Sequence, residues 1–243
     1  MPILTHLRII GAIVLAGTLV ACAASRQATE VAEGGFLGDD YDLLEPGDPQ
    51  RHEVLRRYVT PDVDAARYDK LIVDPVTAWA DPEQVDTEGL QLANVQELAD
   101  YLHAVLRDEL GDDFELVGEP QPNTLRLQVA LTTAAPSNQT MVVVSNVLSA
   151  ALAVTQAREY LTGRPTYQGE ASVEYKILDA EDGELLAAGV DRRIGGRTLY
   201  SAKSSWADVE NIGLYWARQL RYRLCQEQNR EGCTPPPAHA VRA

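Results

Sequence analysis

The chain has 243 residues, with 36 acidic against 21 basic side chains and a formal net charge of −15. Such a surface repels nucleic acid and anionic lipid headgroups, which excludes binding driven by phosphate contacts. Hydrophobic residues make up 45% of the chain, enough for one domain with a sizeable core.

Residues 1–21 read as a secretion signal: His6 and Arg8 come first, then an apolar core from Ile9 to Val20, then small residues. The core is too short to span a bilayer, which takes about 20 apolar residues. Leu19, Val20 and Ala21 ahead of Cys22 resemble the bacterial lipobox, which implies a diacylated Cys22 as the new amino terminus. Acyl chains on that residue anchor firmly, since each buried methylene adds about 0.8 kcal/mol. Ala23 stands where inner-membrane retention uses aspartate, so the resemblance implies an outer-membrane lipoprotein facing the periplasm. Loss of Arg8 with the signal leaves the mature chain one unit more acidic.

Residues 22–35 are small and polar, as expected of a flexible tether. Gly34 to Pro46 mixes Phe36, Leu37, Tyr41, Leu43 and Leu44 with glycines and acids, without a period, and is expected to lie extended over the domain surface. Leu71, Ile72 and Val73 form a buried strand that stops near Pro75. From Asn94 to Leu110, Val95, Leu98, Ala99, Leu102, Val105 and Leu106 share one helical face, with Asn94 and Glu97 spaced as a capping box and Gly111 beyond the end.

Phe114 to Val117 is a short strand, and Leu125, Leu127, Val129 and Leu131 alternate along the next. Met141 to Val154 is an almost uncharged run between Pro136 and Pro165. It is either a core helix or a contact surface, in which case Met141, Val142, Val143, Val144, Val147 and Leu148 would meet a protein partner. Val173, Tyr175 and Ile177 alternate before Asp182 and Gly183, and Leu186, Ala188 and Val190 after them, which makes a β-hairpin. Ser205 and Asp208 open a final helix carrying Val209, Ile212, Trp216, Leu220 and Leu224. Trp206 and Trp216 read as core anchors. Residues 231–243 contain Pro235, Pro236 and Pro237 and are expected to be disordered.

The order of elements fits an α+β two-layer sandwich. It has a mainly antiparallel sheet of about five strands, two main helices on one face and an apolar helical insertion. Residues 36–230 form the single domain.

The stretches GGFLGDDYDLLEPG, YDKLIVDPVTAW, RDELGDDFELV, VEYKILDAEDGELLAAGVDRR and the SW opening the last helix follow in this order. Together they resemble an uncharacterised proteobacterial lipoprotein family, the domain of unknown function DUF3313. The resemblance implies compartment and fold and supplies no activity.

His52, His103 and His239 stand in no metal-ligand spacing, no GxSxG occurs, and Gly195–Gly196–Arg197 lacks the context of a phosphate loop. No cofactor, metal or enzymatic activity is expected. Asp74, Asp191, Arg192 and Arg193 end strands; they are either a solvated edge with surface ion pairs or a polar pocket for a small ligand or cell-wall fragment. Cys225 and Cys233 lie close together in a chain bound for an oxidising compartment, either as a disulfide or as two separate thiols. The leading expectation is a non-enzymatic accessory or scaffold protein that binds another envelope protein.

Overall fold

The computed structural model describes residues 25–79, 89–135, 169–195 and 206–237. Cys22, the signal segment and the apolar run with Met141, Val142, Val143, Val144, Val147 and Leu148 lie outside the described residues.

The fold is α+β, built on one mixed, open sheet of nine strands. In chain order these are β1 (Arg26–Gln27), β2 (Glu45–Pro46), β3 (Arg56–Val59), β4 (Lys70–Val73), β5 (Thr77–Ala78), β6 (Glu115–Leu116), β7 (Thr124–Ala135), β8 (Glu170–Asp179) and β9 (Leu185–Ile194). The main path is β2-β3-β9-β8-β7-β4-β6, with β1 on β9 and β5 on β7. Among the described residues there are two α-helices: α1 (Gly89–Gly111) between β5 and β6, and α2 (Ala207–Glu227) after β9.

The strand count is nine among the described residues against an expected five; the sheet is mainly antiparallel, as expected, with a parallel part at one side. β4 runs parallel to both β6 and β7, and β5 parallel to β7. The reason is α1, which carries the chain back over the sheet before β6 and β7, so those strands set out in the direction of β4.

Both helices face the same side of the sheet. Leu98, Ala99, Leu102, Val105, Leu106 and Leu110 of α1 recur at helical spacing and are buried. They meet Leu125, Leu127, Val129 and Leu131 of β7, Val173 and Ile177 of β8, and Ile212 and Trp216 of α2 in one core. Burying each such side chain contributes about 1.5–3 kcal/mol. α1 begins at Gly89, so Asn94 sits inside the helix and is not its cap. Arg218 on Glu109 at 2.7 Å and Arg221 on Asp113 at 2.6 Å tie α2 to the end of α1 and the turn beyond it.

β8 and β9 form the expected hairpin, with Gly183 at φ +79° in its turn. A register shift at Ile177/Leu178 against Ala187/Leu185 leaves Leu186 as an extra residue. Leu186 therefore joins the helix-side core, whereas Ala188 and Val190 face the opposite side, against Leu37, Tyr41 and Leu44.

That opposite face is where the flexible tether is corrected. Residues 25–35 belong to the sheet assembly: β1 pairs with β9, and Ala28 N donates to Arg192 O at 2.8 Å. The chain then crosses β8 and β9 as a strap with a 3-10 turn at Gly38–Leu43. Buried Glu174 holds it, accepting from Gly34 N at 2.5 Å, Phe36 N at 3.1 Å and the Tyr41 hydroxyl at 2.5 Å. A Cβ on Gly34 would stand 2.5 Å from Thr132 Cγ2, so only glycine allows this approach. At the other terminus, Cys225 and Cys233 are joined as a disulfide with Cα atoms 5.7 Å apart. Beyond the bridge, Thr234 to Pro237 have no regular secondary structure, and Pro236 is buried.

Candidate functional site

The four charges proposed as a pocket do not converge. Asp74 and Arg192 lie on the strap face, where Asp74 accepts from Arg126 Nε at 2.8 Å and Gln128 Nε2 at 3.1 Å, and Arg192 pairs with Glu170 at 2.6 Å. Asp191 and Arg193 point to the helix face, because successive residues of β9 alternate. Strands β8 and β7 further separate β9 from β4. A pocket built from Asp74, Asp191, Arg192 and Arg193 is therefore excluded by the pleat and the strand order.

Asp191 instead joins three elements. It is fully buried and accepts from Gln27 Nε2 at 2.6 Å, Leu55 N at 3.1 Å and Trp216 Nε1 at 2.7 Å. Burial raises its carboxyl above the ordinary value, against the pull of these donors and of Arg193. Burial likewise lowers the Arg193 guanidinium, which lies 3.7 Å over the Tyr215 ring.

Next to this junction, α1, α2 and the sheet leave a cavity of about 110 Å³. Its walls include Leu102 and Leu106 of α1, Val129 and Val173 of the sheet, and Trp216 and Leu220 of α2. The rim is ionic. Arg57 pairs with Glu53 at 2.7 Å, Arg223 pairs with Glu227 at 2.5 Å, and Glu53 also lies 3.5 Å from Arg223. Burial acts to raise the Glu53 carboxyl, but the Asp48 N–H and the two guanidinium groups outweigh it and lower the net value.

Two polar groups line the apolar interior. The Tyr175 phenol is pushed up to about 12, chiefly by burial. Gln219 is 3% exposed; its Nε2 donates to His52 O at 3.0 Å, and its Oε1 has no partner among the described residues. A buried acceptor left unpaired costs about 1–3 kcal/mol. Neither Gln219 nor Tyr175 stands out as a site in the sequence. The available signal was Gln219 itself, a polar residue three positions after Trp216 and seven after Ile212 on the apolar stripe of α2.

The arrangement is a largely apolar space with Tyr175 and Gln219 in its lining and a charge-balanced rim. Among the described residues no group of three His, Cys, Asp or Glu is placed to hold a metal ion, and no helix is long and apolar enough to cross a membrane.

Residues 32–220 match the family model described as "Protein of unknown function (DUF3313)". No curated protein matches the chain. Among solved structures, the chain is similar to the PelC dodecamer from Paraburkholderia phytofirmans, with 12% identity and a TM-score of 0.35, over 72% of this chain and 96% of that one. A Caulobacter crescentus CB15 protein, described provisionally as a lipoprotein, is similar at 15% identity and a TM-score of 0.32, over 68% and 93% of the two chains. Similarity at this level carries no conclusion about function or assembly.

Proposed function

The chain belongs to the DUF3313 family of proteins of unknown function, and from that footing we propose that it is an envelope lipoprotein that works by binding. Cys22 carries the lipid, the domain faces the periplasm, and the cavity between α1, α2 and the sheet takes a small, largely apolar molecule bearing one hydrogen-bond donor. The observation that carries this reading is the largely apolar cavity of about 110 Å³ with the Tyr175 side chain in its lining. A space of this order admits a ring about the size of benzene, and a hydroxyl on it would donate to the Tyr175 phenol oxygen.

The test uses phenol and toluene as probes of the purified mature protein, followed by the methyl resonances of Leu102 and Val173. Phenol is expected to shift them saturably and to bind about tenfold tighter than toluene, since a satisfied hydrogen bond is worth about 1.4 kcal/mol. Val173→Phe should fill the cavity and abolish both. Absence of any saturable shift, or equal binding of the two probes, would overturn the reading. The broader accessory role toward another envelope protein is compatible with it, and photo-crosslinking in cells from Val142 or Val147 tests that role by whether one envelope protein is captured.

A further inference from the structure

The chain is fixed to the sheet almost as soon as it leaves the proposed anchor. Arg193 Nη2 donates to Ser25 O at 2.9 Å, Arg26 is in register with Ile194 and Gln27 with Arg193, and the Gln27 amide reaches buried Asp191. Three residue steps separate Cys22 from Ser25. Even fully extended, they span roughly 10 Å.

One end of the sheet is thereby singled out. It carries the start of β1, the end of β9, the start of β8 and the end of β7, because Ala135, Glu170 and Ile194 are linked in register. The hairpin turn after Asp179 is at the other end, about 30 Å away along the ten residues of β8. Helix α2 starts at the first end, where Asp208 accepts from Gly169 N at 3.0 Å. It finishes at the second, where Gln228 Nε2 donates to the carbonyl oxygens of Ala65 and Tyr68, and the Tyr68 phenol meets Asp179.

Resting on the Cys22 anchor of the reading above, we propose that the sheet end at Ser25, Arg26 and Glu170 is a surface held against lipid headgroups. The domain stands on the bilayer in one orientation and does not swing on a tether. The orientation also fixes the source of the cavity's ligand. Arg57, on the rim, is in register with Gly189, five residues before Ile194, so the rim stands about 17 Å up the sheet. It opens to periplasmic water, and a water-borne ligand enters without passing through lipid.

The experiment uses the full lipidated chain in vesicles of phosphatidylethanolamine and phosphatidylglycerol that contain a headgroup-attached nitroxide. A bimane label is placed at Arg26→Cys or at Asp182→Cys, the latter in the hairpin turn. Quenching at position 26 should exceed that at 182 about threefold or more, given the distances of roughly 10 Å and over 30 Å. Inserting about twelve Gly/Ser residues between Ala24 and Ser25 should abolish the difference, because such a linker spans roughly 20 Å. Equal quenching at both positions in a protein whose mass shows acylated Cys22 would overturn the orientation and leave the anchor standing. A mass without acyl chains would overturn both.

Discussion

Replacing Asp191 with alanine removes the one acceptor shared by β1, the loop before β3, and α2. Three donors lose their partner: Gln27 Nε2, Leu55 N and Trp216 Nε1. Trp216 is 6% exposed, so water cannot substitute freely for the carboxylate. Breaking a buried charged arrangement from one side costs about 3–5 kcal/mol. The relief of Asp191's own desolvation offsets part of that, leaving a net loss of about 3 kcal/mol. For a domain of this size, about 2–4 °C per kcal/mol translates into a Tm lowered by roughly 6–12 °C. Thermal unfolding followed by circular dichroism measures it. Limited trypsin digestion supplies a second readout, since β1 shelters the Arg26 bond only while Gln27 is held; the variant should be cut there first. Asp191→Asn, which keeps one carbonyl oxygen, should fall between the two. A loss below about 1 kcal/mol, together with unchanged cleavage at Arg26, would refute this account of Asp191 as the junction.

Gly34→Ala should cost about 1–3 kcal/mol and loosen the strap, read as faster amide exchange at Gly35 and Phe36, because the new methyl meets Thr132. Acid unfolding should begin below the ordinary carboxylate range. Glu53, Asp113 and Asp179 have lowered values, so their contribution is present above the unfolded-state value and is lost as pH falls through the folded-state ones. Asp191 acts in the opposite sense, its raised value favouring the folded state as pH falls. At alkaline pH, Tyr41, Tyr68 and Tyr175 should ionise at about 12, and stability should decline from pH 10 upward as the unfolded chain deprotonates first; absorbance at 295 nm and circular dichroism should change together. Reducing the bridge between Cys225 and Cys233, eight residues apart, should lower stability by about 2.5 kcal/mol on the loop-entropy relation, measured by urea unfolding with and without reductant.

Periodicity made the long elements legible. Leu98 to Leu110 in α1, Leu125 to Leu131 in β7 and Ile212 to Trp216 in α2 repeat at 3.6 or 2 residues because each presents a single face to one core. The strands that went unread are β1, β2 and β5, two residues each, and β3, whose Arg56–Arg57–Tyr58–Val59 lacks an apolar alternation. They exist through pairing with β9, β7 or each other, which is long-range information. Leu186, Ala188 and Val190 alternate in the sequence as though they shared a face, and the bulge at Leu186 separates them. The strap was read as loose because Gly34 to Leu44 has no period; its order comes from Glu174, about 140 residues away. The cavity was unreadable for the same reason, being a gap between three elements that no single segment encodes. Asp191 and Glu174 were visible as acids inside buried strands, and a search for buried polar residues would have found both.

The contacts of the strap also bear on the order in which the molecule can be completed. Gly34 is bonded to a residue 140 positions later, and Gln27 to one 164 positions later. The segment from Gln27 to Gly34 is therefore among the last to find its place, waiting until the final hairpin has formed. Contacts of such sequence separation slow folding. Until they form, Ala188 and Val190 have no cover, so the newly made chain passes through an interval in which a chaperone has both the apolar surface and the time to bind it.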